Sequence, residues 1–222
     1  MPNRSHSKIK RASLNHTYRL VWSDAKQMYI AVAEITSGKG KRKGGIVGVV
    51  AALMMGFGGI AHALDPSALP TGANVTHGQA QIDQNANVMN IHQTTDKLIT
   101  HWNSFNIGQD ATVNFHQPNS NSAALNRVVE NNPSQILGNL NANGNVYLVN
   151  PSGIFFGKEA QINVGGLIAS TLDIADQDFI NGNLNFKNLG FSDGDIQNLG
   201  HIRANGGVVA LSSCFLLVVL LP

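Results

Sequence analysis

A run of β-forming residues stands directly before a tight turn in the stretch Val146-Tyr147-Leu148-Val149-Asn150-Pro151-Ser152-Gly153. Successive side chains of a strand point to opposite faces, so such a run can bury one face and leave the other in solvent. Proline presets the backbone of one central turn residue, and glycine accepts a positive φ, so the last four residues predict a turn. The stretch therefore indicates short strands separated by tight polar turns.

Runs of the same kind recur throughout residues 64–222, between segments rich in Asn and Gly. Several alternate Val, Ile or Phe with Asn, Thr, Gln or His, which predicts one buried face and one solvent-facing face. They are Val88–Ile91, Leu98–Trp102, Thr112–Phe115, Gln161–Val164 and Gly207–Leu211. Patterns with a helical period are nearly absent, so the predicted fold class is all-β.

A weak internal repeat indicates stacked coils. Gly165–Ala169 recurs as Gly206–Ala210, and Ile162 and Ile202 precede the two copies at a similar spacing. Two coils of about twenty residues would give this spacing, which is typical of solenoid repeats. Inward apolar residues with Asn and Gly at the corners predict a parallel β-helix, in which Asn can also stack along the axis. A β-sandwich is the alternative that the pattern leaves open.

Charge divides the chain into two parts. Residues 1–63 carry ten Lys or Arg against two acidic residues, and residues 64–222 carry five against eleven. The net charge of +2 is thus the average of a basic leader and an acidic remainder. A nucleic-acid partner is not expected, because its basic footprint must lie on the folded domain.

Residues 39–63 have the organisation of a signal peptide. A basic segment at Lys39–Lys43 precedes the apolar run Ile46–Ile60, and Ala61-His62-Ala63 supplies the small-x-small pattern before Leu64. We expect cleavage between Ala63 and Leu64, and a signal segment that is helical or disordered. A signal anchor or a buried helix is the alternative, although the run is shorter than the roughly 20 residues that span a bilayer.

The last residues, 213–222, depart from this composition. They contain the only cysteine, Cys214, followed by seven consecutive apolar residues. We expect an aberrant hydrophobic tail produced by a truncation or a frameshift, and a genuine closing strand is the alternative. Without a cysteine pair the exported part forms no internal disulfide, so its stability must come from packing.

The leader carries a specific pattern before the signal core. Tyr-Arg-x-x-Trp begins at Tyr18, an alternating apolar stretch ends at Ala33-Glu34, and Gly-Lys-Gly-Lys follows from Gly38. Residues 1–38 resemble the extended signal region of large Gram-negative proteins of the type V secretion pathways, where it is linked to slowed targeting. The alternation from Met28 to Val32 would also suit a strand, but a strand has no evident partner in a cleaved leader.

Seven blocks in one order carry a second resemblance. They are Trp102–Gly108, Val113–Pro118, Ala124–Val128, Pro133–Gly138, Ala142–Ile154, Phe156–Gly157 and Val164–Thr171. Residues 64–212 resemble the two-partner secretion domain of filamentous haemagglutinins, haemolysin-type exoproteins and related toxins. The resemblance implies a right-handed parallel β-helix with short extra-helical strands.

The same resemblance implies the partners and the destination. They are the general secretion machinery at the inner membrane and the periplasmic domains of an outer-membrane β-barrel transporter. A passenger of adhesin or toxin type would then meet a host surface or other bacterial cells. The chain would be exported through the periplasm and be secreted or attached to the outer cell surface.

The resemblance also points to a secretion motif at Asn150, Pro151, Ser152 and Gly153. In the family this motif is usually Asn-Pro-Asn-Gly, so Ser152 is a departure that can change the hydrogen bonding. A second Asn-Pro turn is expected at Asn131, Asn132, Pro133 and Ser134. We favour a structural turn whose loss impairs secretion over direct contact with the transporter.

Catalysis, metals and cofactors are not expected. The clusters Asp173–Asp178 and Asp193–Asp195 have no matching Lys or Arg, and Asp178-Phe179 and Gly194-Asp195 predict turns. Five histidines lack metal-ligand spacing, and we expect them at solvent-facing strand positions: His77, His92, His101, His116 and His201. The alternative function is a self-contained surface β-helix that binds or cleaves carbohydrate.

Overall fold

A computed structural model describes backbone and side chains of residues 63–188 and 194–213, and the backbone of residues 18–23, 28–33 and 216–220. The chain divides into two units, Met1–Gly59 and Ile60–Pro222.

The first unit contains an antiparallel pair of strands, β1 (Tyr18–Ser23) and β2 (Met28–Ala33), with Tyr18 opposite Ala33. The interpretation that the Met28–Val32 alternation has no strand partner in the leader is wrong. The alternating stretch has its strand partner inside the leader itself, at the Tyr-Arg-x-x-Trp segment. The apolar run Ile46–Ile60 and Ala61 lie outside the described residues.

The second unit is built almost entirely from short strands. They are β3 (Asn74–His77), β4 (Ala80–Asn85), β5 (Val88–Gln93), β6 (Lys97–Trp102), β7 (Thr112–His116), β8 (Ala123–Val128), β9 (Ser134–Ile136), β10 (Asn139–Ala142), β11 (Asn145–Val149), β12 (Ile154–Phe156), β13 (Gln161–Val164), β14 (Gly166–Ser170), β15 (Asp173–Ile174), β16 (Phe186–Lys187), β17 (Ile196–Asn198), β18 (His201–Ala204), β19 (Val209–Ser213) and β20 (Leu216–Leu220), with the helix α1 (Asp176–Asn181).

Three sheets run along the axis of the unit. One has six strands, in the order β18-β13-β10-β7-β5-β4, and one has seven, in the order β20-β19-β14-β11-β8-β6-β3. The third has three strands, in the order β17-β12-β9. Successive strands visit the sheets in turn and pair in parallel with the coil before and the coil after. The predicted parallel β-helix is confirmed.

Alternation along each strand fills the interior with columns of apolar side chains. In the six-stranded sheet Val113 pairs with Leu140, Leu140 with Ile162, and Ile162 with Ile202. The first three are completely buried in the core, together with Trp102 and Phe156. Each buried Leu or Ile contributes roughly 2 kcal/mol relative to an exposed one, so stacked coils stabilise one another without a cross-link.

The outward face of the six-stranded sheet carries a ladder of asparagines. Nδ2 of Asn114 donates to Oδ1 of Asn90 at 3.0 Å, and Nδ2 of Asn141 donates to Oδ1 of Asn114 at 3.0 Å. Asn163 continues the ladder onto Asn141 at 3.4 Å. Stacking of Asn along the axis was predicted, but these residues lie in strands and not at corners.

The prediction that two coils of about twenty residues separate the repeat copies is wrong. Ile162 pairs directly with Ile202, so this step of 40 residues is a single coil. Other coils advance by 22 to 27 residues at paired asparagines. The long coil contains an excursion, defined here as residues 173–187, that comprises β15, α1 and β16 and packs outside the solenoid.

Antiparallel strands border both ends of the parallel stack. β4 pairs with β5 and β3 with β6 at one end, and β20 pairs with β19 at the other. β20 thus extends the seven-stranded sheet by one antiparallel strand. Among the described residues, no helix is long and apolar enough to cross a membrane.

Candidate functional site

Asn150 is completely buried and makes three side-chain hydrogen bonds. Its Nδ2 donates to the backbone carbonyl of Asn132 at 2.9 Å and to Oγ of Ser134 at 3.0 Å. Its Oδ1 accepts a hydrogen bond from the backbone N–H of Ser152 at 2.9 Å. The side chain therefore joins the two predicted Asn-Pro segments, which the solenoid brings into adjacent coils.

The backbone of the same segment closes the predicted tight turn. The N–H of Gly153 donates to the carbonyl of Asn150 at 3.1 Å, and the N–H of Asn150 donates to the carbonyl of Ser170 at 2.9 Å. Gly153 has φ of +110°. A residue with a Cβ avoids this conformation, so glycine is required at the last turn position.

A third segment lies against the Asn150 turn on the opposite side from Asn132. The N–H of Gly194 donates to the carbonyl of Pro151 at 3.1 Å, and the N–H of Ile154 donates to the carbonyl of Asp195 at 3.0 Å. On the other side, the N–H of Ser134 donates to the carbonyl of Gly153 at 3.0 Å. We call residues 131–134, 150–153 and 194–195 the turn stack.

The turn stack leaves no room for larger residues at its glycines. A Cβ on Gly194 would lie 2.2 Å from the backbone nitrogen of Gly153, and a Cβ on Gly153 would lie 2.9 Å from the carbonyl oxygen of Asp195. Backbone atoms cannot move aside as a flexible side chain can. Gly194 and Asp195 were predicted as a turn, but their contact with Pro151 and Gly153 was not predicted.

The turn stack presents mainly neutral polar groups, and the exposed Asp195 is its single carboxylate. Pro151 and Ser152 are half-buried, and Asn131 is exposed. Oδ1 of Asn132 is buried without a hydrogen-bond partner among the described residues. The sequence contains a signal for this site, because Asn-Pro-Ser occurs at both 132–134 and 150–152.

The predicted cleavage site lies immediately before the folded part. Ala63 is exposed, Leu64 is half-buried, and the chain turns at once, with the N–H of Ala68 donating to the carbonyl of Asp65 at 2.9 Å. Hydrogen bonds from the backbone N–H and the hydroxyl of Ser67 lower the pKa of the Asp65 carboxyl. Ala61, the other small residue of the pattern, lies outside the described residues.

The acidic cluster at Asp173–Asp178 has a basic partner that the sequence did not reveal. Nε of Arg127 lies 2.9 Å from Oδ1 of Asp173, and its Nη1 lies 3.0 Å from Oδ1 of Asp176. The prediction of turn chemistry at Asp178-Phe179 is also wrong, because both residues lie in α1. Burial of Phe179 against the seven-stranded sheet holds this short helix in place.

The histidines mostly follow the prediction. His77, His92, His116 and His201 are exposed residues of strands, and the rings of His92 and His116 stack with centroids 4.7 Å apart. His101 is the exception, since it is half-buried and its Nε2 lies 2.8 Å from Nη1 of Arg127. Within residues 63–188 and 194–213, no group of three or more His, Cys, Asp or Glu side chains is arranged to hold a metal ion.

A parallel β-helix with stacked Asn-Pro turns, preceded by an export signal, defines the class of bacterial secretion domains. The family described as "TPS secretion domain" matches residues 67–213, and "Extended Signal Peptide of Type V secretion system" matches residues 15–63. The chain belongs to the TPS secretion domain family, in which TPS denotes two-partner secretion.

Similar proteins agree with this assignment. A heme/hemopexin-binding protein of Haemophilus influenzae is 42% identical over 143 residues, which cover 64% of this chain and 16% of that protein. A second protein of that description, from the same species, is 44% identical over 117 residues, or 52% of this chain and 12% of that protein.

A solved structure shows the same fold. The crystal structure of the HMW1 secretion domain from Haemophilus influenzae matches with a TM-score of 0.57 and 41% identity, over 60% of this chain and 36% of that chain. This chain thus spans a minor part of the length of the relatives that it matches. It is a secretion-targeting module of an exported, surface-directed protein.

Proposed function

We propose that the turn stack is the structural element on which secretion of this module depends. The observation that carries the proposal is the completely buried Asn150 side chain, which bonds to two residues of the preceding coil. A buried amide that loses these bonds leaves polar partners unpaired, which is costly. Loss of Asn150 would therefore disorder the coil boundary at which the second Asn-Pro segment lies.

The partners follow from membership of the family. The general secretion machinery carries the chain across the inner membrane, and cleavage between Ala63 and Leu64 removes the leader. The periplasmic domains of a cognate outer-membrane transporter then recognise residues 64–212. The single cysteine, Cys214, supports this route, because a chain without internal disulfides has no cross-link to undo before it enters a pore.

The module itself acts without catalysis. Asp173 and Asp176 are engaged by Arg127 on the outside of the seven-stranded sheet, where they hold the excursion in place. A passenger beyond this module would meet host surfaces or other bacteria. The names of the relatives refer to heme and hemopexin, but they share only this region with the chain, so we propose for it the secretion function alone.

Secretion of Asn150→Ala, measured in cells that contain the cognate transporter, tests the proposal. We expect a reduced secreted fraction and a purified domain that unfolds at lower urea concentration. Asn131→Ala is the matched control, because Asn131 belongs to the turn stack but is exposed. Normal secretion of Asn150→Ala would contradict the proposal.

Binding of the purified variants to the transporter's periplasmic domains separates the two accounts of the motif. A structural turn predicts that binding and folding are lost together. If Asn150→Ala kept its full stability but lost binding, the motif would be a direct contact and the structural account would be wrong.

A further inference from the structure

A largely buried arginine helps to fasten the excursion to the solenoid. Arg127 lies on β8 with its side chain 13% exposed. Its Nε donates to Oδ1 of Asp173 at 2.9 Å, its Nη1 to Oδ1 of Asp176 at 3.0 Å, and its Nη2 to the carbonyl of Ile174 at 2.7 Å. A guanidinium that binds two carboxylates and a carbonyl fixes its partners in both distance and direction.

An apolar strip of the seven-stranded sheet lies beneath the excursion. Phe179 and Ile174 pack on Leu125 and Ile99, and the ring of Phe179 meets that of Tyr147 edge-on, with centroids 5.2 Å apart. Burial raises the pKa of the Tyr147 hydroxyl. The excursion therefore covers outward-facing apolar residues that solvent would otherwise reach.

His101 is the titratable member of this contact. Its Nε2 lies 2.8 Å from Nη1 of Arg127. A guanidinium has donors only, so the imidazole must be neutral at Nε2 in order to accept this hydrogen bond. A proton on Nε2 would place two donors and two positive charges against each other.

The charged groups around His101 have opposing effects. Burial and the charge of Arg127 lower the pKa of His101, whereas Asp176 and Asp173 raise it by smaller amounts. Lys187 on β16 lies opposite Asp173 in the strand register, and Lys97 on β6 lies with its Nζ 5.2 Å from the ring centroid of Phe179. The partner of His101 on β3 is the uncharged Asn74.

We propose that His101, Arg127, Asp173 and Asp176 form an acid-sensitive latch that releases the excursion and exposes the apolar strip. In the closed latch His101 binds a proton less readily than it does after release, when the imidazole is free in solvent. Release therefore becomes easier as pH falls below 6.5, the ordinary pKa of histidine. A single proton can increase the opening constant by at most tenfold per pH unit.

Hydrogen–deuterium exchange of the purified chain tests the latch. After correction for the chemical pH dependence of exchange, protection of residues 173–187 should fall between about pH 7.5 and about pH 5, a range above the titration of ordinary carboxyls. Protection of β10 and β11 should stay constant. Loss of protection in all of these segments together would mean global unfolding and would overturn the proposal.

Two variants and a control identify the group that titrates. His101→Gln retains a neutral acceptor for Arg127 and should abolish the pH dependence, whereas His201→Gln, at an exposed position of β18, should preserve it. Asp176→Asn removes one of the two carboxylates that hold Arg127, so protection of residues 173–187 should fall at every pH, and the variant keeps the test available if His101→Gln fails to fold. An unchanged pH dependence in His101→Gln, or unchanged protection of residues 173–187 in Asp176→Asn, would refute the latch.

Discussion

Replacement of Asn150 by alanine should destabilise the β-helix by roughly 3 kcal/mol, at about 1 kcal/mol for each of its three side-chain hydrogen bonds. Asn150 and Ser134 are completely buried, so water cannot replace the lost amide without entering the turn stack. A natural domain is stable by about 5–15 kcal/mol, so the loss is a large fraction of the total.

Urea unfolding followed by tryptophan fluorescence measures this loss. Trp102 is the only tryptophan after residue 63, is almost completely buried, and donates from Nε1 to Oδ1 of Asn126 at 3.0 Å. Its emission therefore reports the core of the unit. An unchanged slope with denaturant would show that the shift in midpoint reflects stability and not a different unfolded state.

Further variants divide the effect among its partners. Ser134→Ala removes one of the three bonds, so the double variant with Asn150→Ala should show a coupling energy of about 1 kcal/mol. Asn150→Asp keeps the acceptor for the Ser152 N–H but loses both donors and buries a charge, so it should be at least as destabilising as alanine. Exposed Asn131→Ala should change stability by less than about 0.5 kcal/mol. An Asn150→Ala effect as small as that of Asn131→Ala would refute the reasoning.

Ala86→Gly should stabilise the domain by roughly 0.5–1 kcal/mol, because Ala86 holds a φ of +50° between β4 and β5; a lower unfolding midpoint would contradict this. Gly153→Ala should cost more than Gly182→Ala in the same urea assay, since both glycines have positive φ but only a Cβ at Gly153 meets backbone; equal effects would show that the contact with Asp195 is not tight. Mass spectrometry of exported material should give an N-terminus at Leu64, and retention of the apolar run Ile46–Ile60 would exclude cleavage there. Deletion of residues 213–222 should improve solubility without unfolding the domain, and collapse of the shortened domain would show that β20 is a needed closing strand.

Local alternation was sufficient to predict most strands and their buried faces. A period of two identifies which side chains of Val146–Val149 face inward, since it depends only on neighbouring residues. It cannot identify what covers the opposite face. Arg127 meets Asp173 and Asp176 across 46 and 49 residues, because the long coil carries the excursion back onto β8.

The register between coils, that is, which residues of neighbouring strands lie opposite each other, was harder to predict than the strands themselves. The copies aligned by their glycines matched Leu167 with Val208, whereas the sheet pairs Leu167 with Val209. The spacing is 40 residues at Ile162 and 42 at Leu167, so the corner between β18 and β19 holds two extra residues. Corner lengths vary without changing the strand pattern, and for that reason periodicity alone could not align the turn stack.

The position of Asn150 predicts an effect on the solenoid beyond its own turn. Coils of a solenoid contact only their neighbours, so each completed coil provides the edge on which the next one forms. Asn150 bonds back to Asn132 and Ser134, while the backbone of Pro151 and Ile154 bonds forward to residues 194–195. Removal of the amide should weaken the contact with the preceding coil. The following coil would then form on a less stable strand edge. We therefore expect the damage to extend beyond the turn, to β17 and the coil that contains it.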